Sequence, residues 1–326
     1  MHLLGRHGRP DRRQPFEYRS ILVPVVSGPT SREASLLAAR LAARRRGRVF
    51  LLRALVVDPG LPLDAHLTEQ TEHAERLLRE CAGIVESQGA KAEAKLVRTR
   101  QAGRAIVEEA GHRGVDIVVL GAPRSTHKRI FGHTVHYVLQ HSPSRVMVAA
   151  GKRRWLPFKT TATEFEAEPK RILVPLKLGP IGEEMLATAV KLAAGRDATV
   201  EALNALLVPL EFAIDEGLPE GEERATSALA EARAVGAEHG VTVEGSVVRT
   251  RSIGRAIVER AVESHADLVV LGSAPRWRRQ SRFFSPTVDY VLRRSPAEVL
   301  IVAFPQGAVG GEQAAAREVA LGWASR

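Results

Sequence analysis

Short runs of apolar, mostly β-branched residues alternate along this chain with longer segments in which apolar residues recur every three or four positions. The runs ILVPVV, beginning at Ile21, and IVVLG, beginning at Ile117, are almost entirely apolar, which indicates strands covered on both faces. The longer segments have the period of amphipathic helices, as Leu36, Leu37 and Leu41 illustrate. This alternation predicts βαβ units and a parallel sheet.

The same pattern gives approximate bounds for each element. In the first half we predict strands at 20–26, 48–57, 92–98, 116–121 and 145–149. The intervening helices are predicted at 31–45, 67–89, 102–113 and 132–141. In the second half the strands are predicted at 171–177, 198–208, 241–248, 267–272 and 298–303.

The two halves of the chain are copies of one domain. LVRTRQAGRAIVEEA, beginning at Leu96, returns as VVRTRSIGRAIVERA, so Arg249 corresponds to Arg98 at an offset of 151 residues. Such self-similarity indicates a repeated structural unit. The predicted organisation is a basic tail (1–17), a first domain (18–150), a linker (151–169), a second domain (170–304) and a C-terminal tail (305–326).

Each copy is predicted to be a doubly wound α/β sandwich around a five-stranded parallel sheet. Right-handed helical crossovers join parallel strands in such folds. Ligands bind beyond the carboxyl ends of the strands, where the strand order reverses. The candidate site therefore lies in the loops after the first, third and fourth strands of each copy.

Composition narrows the classes of function. The chain of 326 residues has 47 Lys and Arg against 37 Asp and Glu, a net charge of +10. Its 44% hydrophobic residues suffice for packed cores. With 5% aromatic residues and no zinc-finger, RRM or basic-zipper signature, it is not expected to bind nucleic acid specifically. The lone Cys81 excludes an intrachain disulfide, and no apolar run is long enough to span a bilayer, so we expect a cytoplasmic protein.

Three segments carry a resemblance to a known family. ILVPVV near the start, VVLGAP at the fourth strand and FGHTVHYVLQHSPSRVMVAA at the end resemble the universal stress protein (UspA) family, in a tandem form. The last block is also similar to stress-protein-like modules associated with amino-acid or cation transporters. The resemblance implies a Rossmann-like fold of the adenine-nucleotide alpha-hydrolase type and a role in the stress response.

Nucleotide-binding members of this family carry an Asp after the first strand and a glycine motif that ends in Gly followed by Ser or Thr. Here the Asp position is Val26 in the first copy and Lys177 in the second. The first glycine is present as Gly121 and Gly272, and the last as Gly132, but Ser285 replaces the last glycine in the second copy. The second glycine and the final hydroxyl are replaced by Arg124 and His133, and by Pro275 and Pro286. These departures put conventional ATP binding in doubt and argue against hydrolysis.

Basic side chains take the place of the missing acid. The RTR segment occurs in both copies, and arginine binds phosphate and carboxylate in a bidentate manner. The candidate anion-binding residues are Pro24, Val25, Val26, Arg98, Arg100, Gly121, Arg124, Gly132, His133 and Thr134 in the first copy, and Arg249, Arg251, Gly272, Arg276, Ser285 and Thr287 in the second. The alternative interpretation is that the basic loops are solvated and that Thr134 and Thr287 only cap helices.

The favoured function is a non-enzymatic regulator that binds a nucleotide, such as ATP, or another phosphorylated anion, in one copy only or weakly. The alternative is an interaction module with vestigial sites that docks a partner protein such as a transporter. An adenylating or phosphotransfer enzyme is a third hypothesis, for which no catalytic residue or metal ligand is identified. Family members pair through their last strands, here Arg145–Ala149 and Glu298–Ala303, either within the chain as a pseudo-dimer or between chains as a homodimer.

Overall fold

The first half folds as the alternating pattern predicts. The structure is a computed structural model that describes residues 18–26, 30–42, 47–122, 130–151, 153–156, 159–162, 168–177, 179–273 and 284–305. The elements of the first half are β1 (Ser20–Pro24), α1 (Thr30–Leu41), β2 (Arg48–Val56), α2 (Thr68–Ser87), β3 (Lys91–Thr99), α3 (Ala102–Arg113), β4 (Ile117–Ala122), α4 (His133–His141) and β5 (Arg145–Ala150). Each bound lies within a few residues of the one that the apolar pattern gives.

The second half repeats this order after a short connecting hairpin. The hairpin strands are β6 (Arg153–Leu156) and β7 (Lys159–Ala162). The elements of the second half are β8 (Arg171–Pro175), α5 (Pro180–Ala193), β9 (Thr199–Leu207), α6 (Pro219–Glu238), β10 (Val243–Thr250), α7 (Ile253–Glu263), β11 (Leu268–Ser273), α8 (Pro286–Arg294) and β12 (Glu298–Ala303).

The hairpin lies within the linker predicted for 151–169. Strands β6 and β7 pair antiparallel, with Trp155 opposite Thr160. Aromatic and β-branched residues favour strands, and Thr160 and Thr161 supply two of them. The sequence analysis predicts no strands in this segment.

The two predicted sandwiches share one continuous sheet of ten strands. Its order is β10-β9-β8-β11-β12-β5-β4-β1-β2-β3. The strands are parallel within each half, whereas β5 and β12 pair antiparallel, with Met147 opposite Val302. Of the two arrangements left open by the sequence, the structure shows pairing within the chain. This pairing satisfies the backbone groups of two apolar strands that would otherwise form exposed edges.

Both faces of the sheet are covered by helices from both halves. Ile21, Val119, Met147 and Leu300 belong to the core beneath α1, α2, α5 and α6. The opposite core contains Leu22 and the apolar side chains of α3, α4, α7 and α8. Because each core runs through both halves, the copies form one packed unit.

A duplicated aspartate fixes the first strand of each half. One carboxylate oxygen of Asp116 accepts hydrogen bonds from the amides of Arg19 and Ser20, at 2.7 and 2.9 Å. Asp267 accepts from the amides of Lys170 and Arg171, at 3.1 and 3.0 Å. Both lie at the amino ends of the strands, so these acids serve the fold and lie away from the carboxyl edge.

Within the ranges described above, no helix is long and apolar enough to cross a membrane.

Candidate functional site

The crevice of each half lies between the carboxyl ends of its first and fourth strands. In the first half β1 is flanked by β4 and β2, so the strand order reverses between β1 and β4. The same reversal separates β8 and β11 in the second half. The carboxyl ends of the first and fourth strands therefore flank this crevice, whereas β3 and β10 lie at the outer edges of the sheet.

At the end of β1, a serine forms hydrogen bonds with the backbone of Val26, the residue at the position of the missing acid. Val25 is buried, and Val26 is 44% exposed. The amide of Val26 donates to Ser31 Oγ at 2.7 Å, and the Ser31 hydroxyl donates to the Val26 carbonyl at 2.8 Å. Ser31 therefore satisfies the backbone of Val26 where the family has a carboxylate. Pro24 ends β1 in register with Leu52.

Arg53 is a residue of this edge that the sequence interpretation missed. Its guanidinium donates to the carbonyl of Val25 at 3.0 Å. Burial lowers the pKa of this guanidinium. The sequence signal for Arg53 was a single charge inside the apolar strand FLLRALV. The residue that corresponds to Arg53 in the second copy is Asn204. Arg53 thus brings positive charge next to the end of β1, whereas the second copy has Lys177 two residues after β8.

Gly121 and Gly272 allow the fourth strands to approach the neighbouring helices. A Cβ atom on Gly121 would lie 2.4 Å from the backbone oxygen of Thr30, the first residue of α1. A Cβ on Gly272 would lie 2.2 Å from Cγ2 of Ile181 in α5. Packing therefore requires both glycines, whether or not a phosphate approaches them.

The helices that follow the fourth strands begin differently in the two halves. Helix α4 begins after the exposed Gly132, and no described side chain caps it. Helix α8 begins after Ser285, whose Oγ accepts from the amide of Val288 at 3.3 Å, and its first residue is Pro286, which has no N–H. Among the described residues, the N-terminus of α4 thus lacks the serine cap and the proline that α8 has, which favours an anion at α4.

Thr134 and Thr287 do not cap these helices. Each is the second helical residue, and the N-caps are Gly132 and Ser285. The capping interpretation of the two threonines is therefore wrong. His133 is exposed, and both His133 and Thr134 lie in the first turn of α4.

The third residue of each RTR segment holds a neighbouring loop. Arg100 donates to the carbonyls of Val57 and Leu61, at 3.1 and 2.5 Å, and also to that of Asp58. Arg251 makes the same three contacts in the second half, with Val208 at 2.9 Å, Phe212 at 2.6 Å, and Pro209. These contacts account for the duplicated arginines without any ligand.

The first arginine of each RTR segment has different neighbours in the two copies. Arg249 forms an ion pair with Glu222 and donates to the carbonyl of Asp215 at 2.9 Å. Arg98 is exposed, and the described residues offer it no ion pair. Position 71, which corresponds to Glu222, is Thr71 in the first copy. Among the described residues, an ion pair neutralises this arginine in the second copy but not in the first.

The glycine that follows each RTR segment serves helix packing. A Cβ on Gly103 would lie 2.9 Å from Cβ of Tyr137, and one on Gly254 would lie 3.1 Å from Cβ of Tyr290. The repeated GRAIV motif is thus explained by the contact of α3 with α4 and of α7 with α8.

Arg124 and Arg276, with the basic runs around them, lie outside the described residues. In the first copy, Arg53 contacts the end of β1, and among the described residues the start of α4 has no side-chain cap. Hydrogen-bond donors and positive charge in this arrangement suit an anion. Among the described residues there is no cluster of His, Cys, Asp or Glu that could hold a metal ion.

The sequence matches the model of one known protein family. A family model described as the universal stress protein family matches residues 17–150 and 168–303. No curated protein matches the sequence.

Solved structures share the fold over most of the chain. A universal stress protein from Archaeoglobus fulgidus DSM 4304 is 17% identical, with a TM-score of 0.59, and the match covers 88% of this chain and 97% of that one. A putative universal stress protein from Pseudomonas aeruginosa UCBPP-PA14 is 16% identical, with a TM-score of 0.54, over 88% and 94% of the two chains. At sequence identities of 17% and 16%, the similarity to these structures shows the fold alone.

Proposed function

The chain belongs to the universal stress protein family as a tandem of two domains, and we propose that it is a non-enzymatic regulator that binds a nucleotide or another phosphorylated anion in its first copy. The observation that carries this proposal is the difference between the two helix starts. Gly132 leaves the N-terminus of α4 without a side-chain cap, whereas Ser285 and Pro286 close that of α8. Helix N-termini attract anions through their amides and dipole.

Both copies carry a positive side chain near the end of the first strand, Arg53 in the first copy and Lys177 in the second. Arg53 contacts the end of β1 directly, through the carbonyl of Val25, and Asn204 stands at its position in the second copy. Val26 and Lys177 replace the acid that nucleotide-binding relatives carry at this position, so recognition would rest on phosphate more than on ribose or base. The second copy then contributes mainly to the sheet, and its own site is vestigial.

Isothermal titration of the full chain with ATP, ADP, AMP and cyclic AMP tests the proposal. The variant Gly132→Asp places a carboxylate at the start of α4, where the structure leaves open space. We expect it to weaken binding by about tenfold or more, since a carboxylate competes with the ligand for the helix N-terminus. The matched variant Ser285→Asp should leave the affinity unchanged.

Two results would contradict the proposal. One is no heat of binding with any of these ligands at millimolar concentration. The other is an equal loss of affinity in both variants, which would remove the distinction between the copies. Release of product from ATP above background, measured with the same preparation, would contradict the non-enzymatic role and support the enzyme hypothesis instead.

A further inference from the structure

Two loops at the carboxyl edge present apolar side chains to solvent at matching positions. We name the loop after β2, with the first turn of α2, the first loop patch (residues 56–72). Its counterpart after β9 is the second loop patch (residues 207–223). The exposed apolar residues are Val56, Leu61 and Leu63 in the first patch, and Leu207, Leu210, Phe212 and Ile214 in the second. Val56, Leu61 and Leu63 correspond to Leu207, Phe212 and Ile214 at the repeat offset of 151 residues.

An arginine side chain at the end of the neighbouring strand holds each of these loops in one conformation. The guanidinium groups of Arg100 and Arg251 each donate to three backbone carbonyls of their loop. A loop fixed in this way cannot bury its apolar side chains by collapsing onto the sheet. Leu210, in the loop that Arg251 holds, is 87% exposed. A surface that is already ordered loses little entropy when a partner binds.

The charge of both patches is opposite to that of the chain. The first patch contains four acidic residues and the second six, and neither contains Lys or Arg, although the chain has a net charge of +10. Part of this acidity is neutralised, because Glu72 of the first patch pairs with Arg76, and Glu220 and Glu222 of the second pair with Arg224 and Arg249. Glu211, Asp215 and Glu223 are exposed, and no described Lys or Arg forms an ion pair with them.

We propose that the two loop patches are docking surfaces for a basic amphipathic helix of a partner protein. An apolar helix face would cover the exposed leucines, phenylalanine and isoleucine, and its Lys and Arg side chains would meet the acidic rim. Anionic membranes and nucleic acids are disfavoured at these patches, because the acids repel them. The antiparallel junction of β5 with β12 turns the carboxyl edges of the two halves to opposite edges of the sheet. One chain therefore binds two such helices.

The probe is a synthetic amphipathic helix of about 18 residues built from Leu and Lys, long enough to be helical when bound. The control peptide has the same apolar face with Glu in place of Lys. Titration of the full chain should give two Leu/Lys peptides per chain, with an affinity that falls as salt rises, and no binding of the Leu/Glu peptide.

Variants of the patches separate specific docking from general attraction. The triple variant Leu210→Ser, Phe212→Ser, Ile214→Ser should reduce the stoichiometry to one. The addition of Leu61→Ser and Leu63→Ser should abolish binding. Matched controls are Val262→Ser, an exposed apolar residue of α7, and Glu86→Gln with Glu238→Gln, which are exposed acids outside both patches. These controls should bind as the wild type does.

Unchanged binding by the five-residue variant, with an unchanged thermal transition, would overturn the proposal. So would an equal effect of the Glu86→Gln, Glu238→Gln control, since attraction would then be general. Self-association of the wild type that the serine variant abolishes would identify a second copy of this chain as the occupant and would also overturn it. None of these results bears on nucleotide binding at Gly132.

Discussion

The hydroxyl of Tyr18 donates a hydrogen bond to Oε1 of Glu184 at 2.6 Å, from the segment before β1 to helix α5 of the other half. Nε of Arg145 lies 3.0 Å from the same oxygen. Glu184 is 1% exposed, so its carboxylate depends on these two partners in place of water. A buried polar cluster therefore joins the two copies beside the β5–β12 junction.

Removal of the tyrosine hydroxyl should weaken this junction. We expect Tyr18→Phe to lower the free energy of unfolding by about 1–3 kcal/mol, because a buried carboxylate loses a donor. Chemical denaturation at neutral pH measures the change. Tyr137→Phe, at a partly exposed tyrosine of α4, is the control and should change stability little. An equal loss in both variants would contradict a special role for the Tyr18 contact.

Glu184 should make stability fall as pH rises. Burial raises the pKa of this carboxyl, against the opposing effects of Tyr18 and Arg145. The folded state then binds the proton more tightly than the unfolded chain, whose Glu titrates near about 4.3. The contribution of Glu184 to the free energy of unfolding is fully present below about pH 4.3 and is lost as pH rises through the pKa of the folded state. The stability of Glu184→Gln relative to wild type should therefore increase with pH above about 4.3, as measured by denaturation across a pH series.

Glu109 should behave in the opposite way. Burial acts to raise its pKa, but hydrogen bonds from Lys95 and Arg113 outweigh burial and lower it. Its contribution is therefore present above the unfolded value and is lost as pH falls through the lower folded pKa. Glu109→Gln should lose stability relative to wild type as pH rises towards about 4.3 and then level off. Parallel pH curves for both Gln variants would contradict these assignments.

The same substitution should have opposite effects at the two glycines of the first crevice. In Gly121→Ser the new Cβ would overlap the Thr30 carbonyl, so we expect a loss of about 1–3 kcal/mol. In Gly132→Ser the side chain enters open space and can cap α4, so stability should rise by a few tenths of a kcal/mol. Thermal unfolding of the two variants compares them directly. A destabilised Gly132→Ser variant would argue against an open helix start.

His265 has the backbone conformation that Gly114 has in the first copy. Their φ angles are 52° and 57°, and each follows the last turn of the helix after the third strand of its half. The left-handed region strains a residue that has a Cβ, so His265→Gly should stabilise the protein by about 1 kcal/mol. The reciprocal Gly114→His should destabilise it by a similar amount. A stability change of the same sign in both variants would contradict this explanation.

The arginines of the two loop patches should control local motion. In Arg100→Met the loop after β2 loses three carbonyl contacts, so its amides should exchange hydrogen faster while those of β1 stay protected. Arg251→Met should do the same for the loop after β9. Hydrogen exchange measured by mass spectrometry resolves both loops. Unchanged exchange at residues 57–63 would show that Arg100 does not fix its loop.

The sequence by itself determined the repeat, the order of the elements and their approximate bounds. These depend on local periodicity, which ILVPVV and IVVLG display without reference to distant residues. The sequence also placed Val26 and Gly121 at the carboxyl edge, because parallel strands linked by helices direct their ends to one side. It indicated two alternatives for pairing of the last strands.

Only the tertiary structure decided which residues meet. Strand order places β3 beyond β2, so Arg100 contacts the loop after β2 and not the crevice between β1 and β4. The packing of β4 on α1 gives Gly121 a steric role that no motif reveals. The β5–β12 junction brings Glu184 to Tyr18 across 166 positions. Local periodicity carries no information on such contacts, because they depend on which strands become neighbours and on the atoms that each neighbour presents.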